Sequence, residues 1–280
     1  MRTRAILVVM RTFRALALAF AAAFLACAAE PAANTLTPEE KASGWALLFD
    51  GRTMQHWKDP RKLDPPGDAW TIDSECLKAN ARPRIVEDLF SEDAYRDFEL
   101  QWDWRIAPGG NSGVKYRIQR NVWMTGDHPA ATLRFEDQVE YFLQHPITKR
   151  PDRGQDYVIG FEYQMLDDKR NADAFAGKTH MTGALYDLVP PSQSVTKPAG
   201  EWNHSVLKVQ GGHVEHWLNG VKVVDASIAP ATVKPGLEKR WGKTPGVFDL
   251  LGNQPRKDCP ISLQNHDADT WFRNIKIRRL

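Results

Sequence analysis

The stretch that decides the fold is GHVEHWLNGVKVVD, residues 212–225. Val214, His216 and Leu218 share one face of a strand, because side chains alternate between the faces of a strand. Asn219-Gly220 suits the two left-handed positions of a type I′ turn, and an apolar run follows it. The stretch therefore predicts a β-hairpin. The titratable His216 on its apolar face is either a core histidine or a functional one.

Other stretches predict more strands of the same kind. The chain has ten Trp and twelve Phe among 280 residues, and short aromatic segments alternate with Gly, Pro, Asn and Asp turns. A half-buried strand is indicated by five apolar residues at alternate positions, Phe98, Leu100, Trp102, Trp104 and Ile106. This pattern predicts an all-β sandwich. Thr37, Pro38 and Glu40 form the sequence signature of a capped helix, which predicts one short N-terminal helix.

The first 29 residues differ in composition from the rest. Four arginines precede or interrupt a segment that becomes wholly apolar over residues 15–26, which is short for a membrane span. We therefore expect residues 1–29 to be a cleaved export signal, 30–43 a linker and 44–280 one domain of a periplasmic or secreted protein. In the alternative reading, Cys27 carries a lipid anchor and provides the only contact with a membrane.

Charge and cysteine content exclude several functions. Removing residues 1–29 takes away four arginines and no acid, so the formal net charge falls from +2 to −2. No basic patch suggests nucleic-acid binding. The chain has no CxxC pair, which argues against a structural zinc site. Cys76 and Cys259 could pair after export, but their spacing does not decide this.

Two regions lack a clear period. Residues 121–160 look like an irregular insertion at the rim of the scaffold, and residues 239–257 look like a second irregular stretch. Between and after them, polar residues recur on strand faces. Glu162 and Gln164 share one face, and Gln264 and His266 share another. These faces are either solvated or functional.

Eight motifs in order resemble the 3-keto-disaccharide hydrolase domain family over about residues 44–280. They are LFDG with a following Trp, DFELQWDWR with GGNSGVKYR, YQMLDD, TGALYDL, PAGEWN, VEHWLNGVKV, ISLQNHD and WFRNIKI. The resemblance implies a concanavalin A-like jelly-roll β-sandwich and an exported enzyme. It also implies cleavage of glycosides whose sugar carries a ketone at carbon 3, by hydrolysis or by elimination and hydration at carbons 1 and 2.

The resemblance also implies the site. Such an elimination needs a base, a group that stabilises the enolate and help for the leaving group. The catalytic candidates are Glu162, His216 and His266. A divalent metal ion of unspecified identity would bind Glu162, His216 and His180. The candidates for binding the carbohydrate substrate are Gln164, Gln264, Asn111, Tyr186 and Trp241.

Two other functions remain open from the sequence. A conventional glycosidase needs two carboxylates beside the scissile bond, and the nearest acidic run, residues 136–140, puts Asp137 on the wrong strand face and lies in the expected insertion. A lectin-like module would share the fold and the aromatic residues but would bind sugar without turnover.

Overall fold

The computed structural model describes residues 32–58, 69–82, 86–147 and 154–280. The expected export segment, with Cys27, lies outside these residues. Ala32–Leu280 forms one compact unit. Within the described residues, every helix is too short or too polar to cross a membrane.

The strands are β1 (Ala46–Leu47), β2 (Trp57–Lys58), β3 (Trp70–Asp73), β4 (Cys76–Ala79), β5 (Leu89–Ser91), β6 (Phe98–Ile106), β7 (Asn111–Met124), β8 (Gln155–Leu166), β9 (Asn203–Gln210), β10 (His213–Leu218), β11 (Val221–Ser227), β12 (Ser262–Leu263) and β13 (Thr270–Arg279). The helices are α1 (Pro38–Ala42), α2 (Phe135–Gln144), α3 (Pro230–Trp241) and α4 (Pro245–Asn253). Short 3₁₀ turns span Pro129–Thr132, Ala172–Phe175 and Lys178–His180.

The described strands form two antiparallel sheets. The larger sheet has the order β11-β10-β9-β6-β13-β4-β3, with β1 also paired to β13, and the smaller sheet has the order β2-β5-β12-β7-β8. Buried residues of both sheets form one core. In β6 every second residue is buried, as the alternation of its sequence predicts. The predicted all-β sandwich is confirmed.

The hairpin predicted at residues 212–225 is present as β10 and β11. Asn219 and Gly220 both have positive φ, 50° and 82°, as a type I′ turn requires. The N-terminal helix is present as α1, and Thr37 and Glu40 form the predicted capping box. Just before α1, Asn34 and Asn274 exchange hydrogen bonds with each other's backbone N–H (2.6 and 2.8 Å), which attaches residues of the expected linker to β13.

Most of the described residues in the two regions expected to be irregular belong to helices and strands, which corrects that prediction. Residues 121–147 continue β7 and form α2, residues 154–160 begin β8, and residues 239–257 contain the end of α3 and all of α4. The helix α2 buries Val139 and Phe142 on one side. Proline inside α3, at Pro235, interrupts the pattern by which a helix is normally recognised.

The two cysteines of the described residues do not pair. Cys76, on β4, and Cys259, shortly before β12, are both buried free thiols. Burial raises the pKa of both. They are therefore packing residues.

Candidate active site

Polar residues line the outer surface of the smaller sheet, the surface away from the core. In the register of β7 and β8, Lys115 lies opposite Glu162 and Gly113 lies opposite Gln164. Ser262 of β12 pairs with Lys115 on the other side. Since alternate residues such as Tyr116 and Tyr163 belong to the buried core, these polar residues point the other way.

A cavity of about 160 Å³, here called the inner cavity, opens on this surface. Its lining includes six of the nine residues proposed from the sequence: Asn111, Glu162, Gln164, Tyr186, Gln264 and His266. It also includes charged and aromatic groups that were not proposed: Asp88, Lys115, Phe135, Asp156, Tyr157, Asp173, Arg240 and Asp267. Strand parity brings Asn111, Glu162 and Gln164 together on β7 and β8, whereas Tyr186 comes from a loop and Gln264 and His266 follow β12.

Glu162 is an acid of the inner cavity whose pKa is strongly shifted by burial. Burial raises its pKa to about 7, and the carboxylate of Asp88 adds to the rise, whereas the Lys115 ammonium opposes it. The carboxyl group leans across β7 over Gly113, where a Cβ atom would lie 2.3 Å from Glu162 Oε1. Glycine at residue 113 therefore makes room for this side chain.

Lys115 and Asp88 form a buried ion pair beside Glu162. Their charged atoms lie 3.5 Å apart, and the two side chains are 5% and 2% exposed. Ser262 Oγ also donates a hydrogen bond to Asp88 (3.0 Å). Burial lowers the pKa of Lys115, but the carboxylates of Asp88 and Glu162 outweigh it and the pKa is raised. The inner cavity therefore contains a fixed cation next to an acid that titrates near neutrality.

A second group of polar side chains surrounds Asp173 at the edge of the inner cavity. Its carboxylate accepts hydrogen bonds from Gln164 Nε2 (3.2 Å) and from the Tyr186 hydroxyl (3.4 Å), and it contacts His180 Nδ1 (2.7 Å). The other nitrogen of His180 contacts Asp187 (3.1 Å). Asp187 therefore holds His180 in place from the opposite side.

Arg240 closes the same edge from α3. It forms ion pairs with Asp187 (2.9 Å) and Glu136 (3.2 Å), and it lies over the rings of Phe135 and Tyr186. Burial lowers the pKa of Arg240, but the surrounding acidic groups outweigh this effect and raise it. The guanidinium is thus a permanent cation that joins α2, α3 and the loop with Asp187.

Two buried amide oxygens at the inner cavity accept no hydrogen bond within the described structure. They are Asn111 Oδ1 and Gln264 Oε1. A buried acceptor without a donor costs about 1–3 kcal/mol, so these two atoms need a donor from outside the protein, either water or a ligand. Hydroxyl groups are donors of this kind.

His216 lies away from the inner cavity, which corrects its assignment as catalyst and metal ligand. It is completely buried between the sheets, and its ring packs on the core-facing Tyr163 at 4.6 Å. Nδ1 donates to the Gly183 carbonyl (3.0 Å), and Nε2 therefore accepts from the Tyr116 hydroxyl (3.0 Å). Glu162 points to the opposite side of the smaller sheet. Burial lowers the pKa of His216 to about 4, so it is a neutral core residue.

Trp241 does not line the inner cavity. It is 3% exposed at the end of α3 and belongs to the hydrophobic core, where its ring lies 5.9 Å from that of Tyr157. Its side chain also lines a small cavity of about 40 Å³ together with Glu162 and Tyr186, so its role in binding the sugar stays a prediction.

The predicted metal ligands do not converge on one point. Glu162 and His216 face opposite sides of the smaller sheet, and both ring nitrogens of His180 contact aspartates. A group that could hold a metal ion exists elsewhere among the described residues: His213, Glu215 and Asp225 have ligand atoms within 4.8 Å of one another. It lies on the hairpin β10–β11, and Lys222 already contacts both of its carboxylates.

The sequence prediction missed Lys115, Asp88 and Arg240. Lys115 could have been found from the sequence, because Asn111, Gly113 and Lys115 are alternate residues of one strand and therefore share a face. Asp88 and Arg240 come from distant parts of the chain, and Arg240 belongs to a helix that the sequence pattern hides.

Comparison with known proteins gives relatives along most of the chain. A protein of Bacteroides thetaiotaomicron named 3-keto-disaccharide hydrolase is 28% identical over 265 residues, which are 85% of this chain and 79% of the relative. A crystal structure from Parabacteroides distasonis, named provisionally as a glycosyl hydrolase, is 26% identical with a TM-score of 0.66, covering 89% of this chain and 99% of that one.

A second Parabacteroides distasonis structure with the same provisional name shares the fold, at 23% identity and a TM-score of 0.55, with 84% and 99% of the two chains covered. These relatives confirm the prediction of an enzyme that acts on sugars. The model of the 3-keto-alpha-glucoside-1,2-lyase-like domain matches residues 44–278. The motif order that suggested such a family is therefore confirmed, and the chain belongs to the 3-keto-alpha-glucoside-1,2-lyase-like domain family.

Proposed function

We propose that this protein cleaves the glycosidic bond of glycosides whose sugar is oxidised to a ketone at carbon 3. The names of the family and of its relatives support glycoside cleavage. The observation that carries the finer proposal is the placement of Glu162, an acid with a pKa of about 7, directly opposite the buried cation Lys115.

Glu162 is the base of the reaction. A ketone at carbon 3 acidifies the hydrogen on carbon 2, and a carboxylate that titrates near neutrality is suited to remove it at working pH. The electron pair released at carbon 2 forms a double bond to carbon 1, and the bond to the leaving group breaks. Water then adds at carbon 1 while the proton returns to carbon 2.

Lys115 stabilises the negative charge that develops on the oxygen of carbon 3. Its ammonium is buried and held by Asp88, so it needs little rearrangement when charge appears. Preorganised donors of this kind are worth about 3–4 kcal/mol in other enzymes. A direct hydrolysis would instead need two carboxylates poised on either side of the bond.

The remaining polar groups of the inner cavity bind the sugar. Asn111 and Gln264 present unsatisfied amide oxygens to hydroxyl donors, and Gln164 and His266 line the same wall.

Residues 1–29 support the further proposal that the protein is exported, since their basic start and apolar run are typical of export signals.

The test is turnover of a disaccharide oxidised at carbon 3, measured beside its unoxidised parent. We expect release of the 3-keto sugar from the oxidised substrate and none from the parent. Glu162→Gln should lose about 10²- to 10⁴-fold of this activity. Saturable binding of the oxidised sugar without release by the wild type would instead indicate a lectin-like module and overturn the proposal.

A further inference from the structure

A second cavity adjoins the inner cavity and shares Tyr186 and Arg240 with it. This outer cavity has a volume of about 370 Å³, more than twice that of the inner cavity. Its walls come from the start of α2 with Glu136, from the loop with His180, and from α3 with Lys239. A substrate longer than one sugar would therefore extend from the inner into the outer cavity.

The lining of the outer cavity is polar. Arg240 holds Asp187 and Glu136 there, and Asp187 also contacts His180. Tyr186 is the only Phe, Tyr or Trp among the described lining residues. Charged side chains are well suited to hydrogen bonds with hydroxyl groups and poorly suited to an aryl or alkyl group, which would displace their water without replacing its hydrogen bonds.

Tyr186 stands at the boundary of the two cavities. Its hydroxyl lies 3.4 Å from Asp173 Oδ1, and its ring packs against His180 at 4.6 Å. Burial raises the pKa of Tyr186 above its usual range, and the carboxylates of Asp173 and Glu162 add to the effect. The phenol therefore keeps its proton at working pH. The Arg240 guanidinium lies over the ring, 5.9 Å from its centroid, and its charge opposes this rise in the pKa of Tyr186.

We infer that the outer cavity receives the leaving half of the substrate, a hydroxylated group such as a second sugar, and that Tyr186 donates its phenolic proton to the departing oxygen. This inference rests on the proposed function, because the bond that breaks must lie between the keto sugar in the inner cavity and the group in the outer cavity.

The protons and electrons of this reaction balance within the site. Glu162 takes the proton from carbon 2, the C–H electron pair forms the double bond to carbon 1, and the pair of the C–O bond leaves with the oxygen. That oxygen takes the Tyr186 proton. When water adds, its hydroxyl bonds to carbon 1, its other proton returns to Tyr186, and the Glu162 proton returns to carbon 2.

The test compares two substrates that share one 3-keto sugar, one with a sugar as leaving group and one with 4-nitrophenol. A nitrophenolate needs no proton to depart, whereas a sugar alkoxide does. We expect Tyr186→Phe to lower turnover of the disaccharide about 10²-fold or more, and that of the nitrophenyl glycoside less than about 10-fold. Equal losses on both substrates, or no loss, would overturn the assignment of Tyr186.

The control is Tyr141→Phe, on α2, because the Tyr141 ring stacks on His145 away from both cavities. It should leave both rates unchanged. The outer cavity is tested separately by Arg134→Ala, because Arg134, just before α2, also lines this cavity. The variant should raise KM several-fold for the disaccharide but not for a third substrate, the methyl glycoside of the same 3-keto sugar. An equal effect on both would overturn the subsite. If the wild type releases product from none of these substrates, the proposed function fails first, independently of Tyr186.

Discussion

Glu162 combines a function with a cost to stability. Folding raises its pKa from 4.5 to about 7, so the wild type loses stability as the pH rises through this interval. We predict that Glu162→Gln, besides losing activity, raises the free energy of unfolding at pH 8 by about 3 kcal/mol. The gain should vanish below about pH 4.5.

Denaturant unfolding at pH 8 and below pH 4.5 checks this prediction, and Glu201→Gln, in an exposed turn, is the control. A loss of stability at pH 8 would contradict the burial of this carboxylate.

Gly113 is the residue that positions Glu162. A Cβ atom there would lie 2.3 Å from Glu162 Oε1, so Gly113→Ala must displace the carboxyl group. We predict a fall in kcat of about 10²-fold, because small misplacements of a catalytic group are costly. A Cβ atom on Gly126 meets nothing within 4 Å, so Gly126→Ala is the matched control. Unchanged kcat in the Gly113 variant would mean that the carboxyl position does not matter.

At the scale of elements, the site is a row of residues across adjacent strands. Lys115 on β7 lies between Ser262 on β12 and Glu162 on β8. Ser262 donates a hydrogen bond to Asp88 and so fixes this carboxylate beside the row. Such a row is fixed by strand register, since a slip of one residue would turn every side chain to the other face.

This row sets the pH dependence of the reaction. Asp88 raises the pKa of Glu162 and Lys115 lowers it. The variant Asp88→Asn removes the first effect and leaves Lys115 to act on Glu162 alone, so the pKa of Glu162 should fall. We predict that kcat/KM of the wild type rises with pH through about 7, and that this limb moves to lower pH in the variant. The pH dependence of kcat/KM, measured for both proteins, tests this prediction. If the rising limb of the variant stays at the same pH or moves to higher pH, the assignment of Glu162 as the base is contradicted.

Much of this row could be predicted from the sequence, because strand parity is a local property. Alternation placed Glu162 beside Gln164 and Gln264 beside His266 without knowledge of the fold. It also places His216 on the apolar face with Val214 and Leu218, which is the face that the structure buries. The resemblance to the family, and not the alternation, led to the expectation that His216 belongs to the site.

The sequence patterns predict α1 but not α2, α3 or α4. Two of them, α3 and α4, begin with proline, and α3 contains a second proline and has little amphipathic character. Their stability comes from packing against each other and, for α4, against β8, which no local pattern records. Arg240 was missed with them.

At the scale of the whole molecule, His216 couples the two sheets through Tyr116 and Gly183. Its pKa is about 4 in the folded state against 6.5 when exposed, so its stabilising contribution is present above pH 6.5 and is lost as the pH falls toward 4. The variant His216→Gln can make both hydrogen bonds without titrating.

We therefore predict that the wild type loses about 3 kcal/mol of stability relative to His216→Gln between pH 6.5 and pH 4. The comparison between the two proteins cancels the contribution of Glu162, which has the opposite sign. Denaturant unfolding at several pH values measures it. Parallel pH dependence in both proteins would show that folding does not lower the pKa of His216.

The central claim is that the bond breaks by elimination after Glu162 removes the hydrogen at carbon 2. The most direct test is turnover of the 3-keto disaccharide in heavy water, followed by mass spectrometry of the released keto sugar. Because the inner cavity opens to solvent, the proton on Glu162 exchanges before it returns, and we predict one deuterium at carbon 2 above a control of product incubated alone. A product that keeps its original hydrogen at carbon 2 would indicate direct hydrolysis and contradict the account.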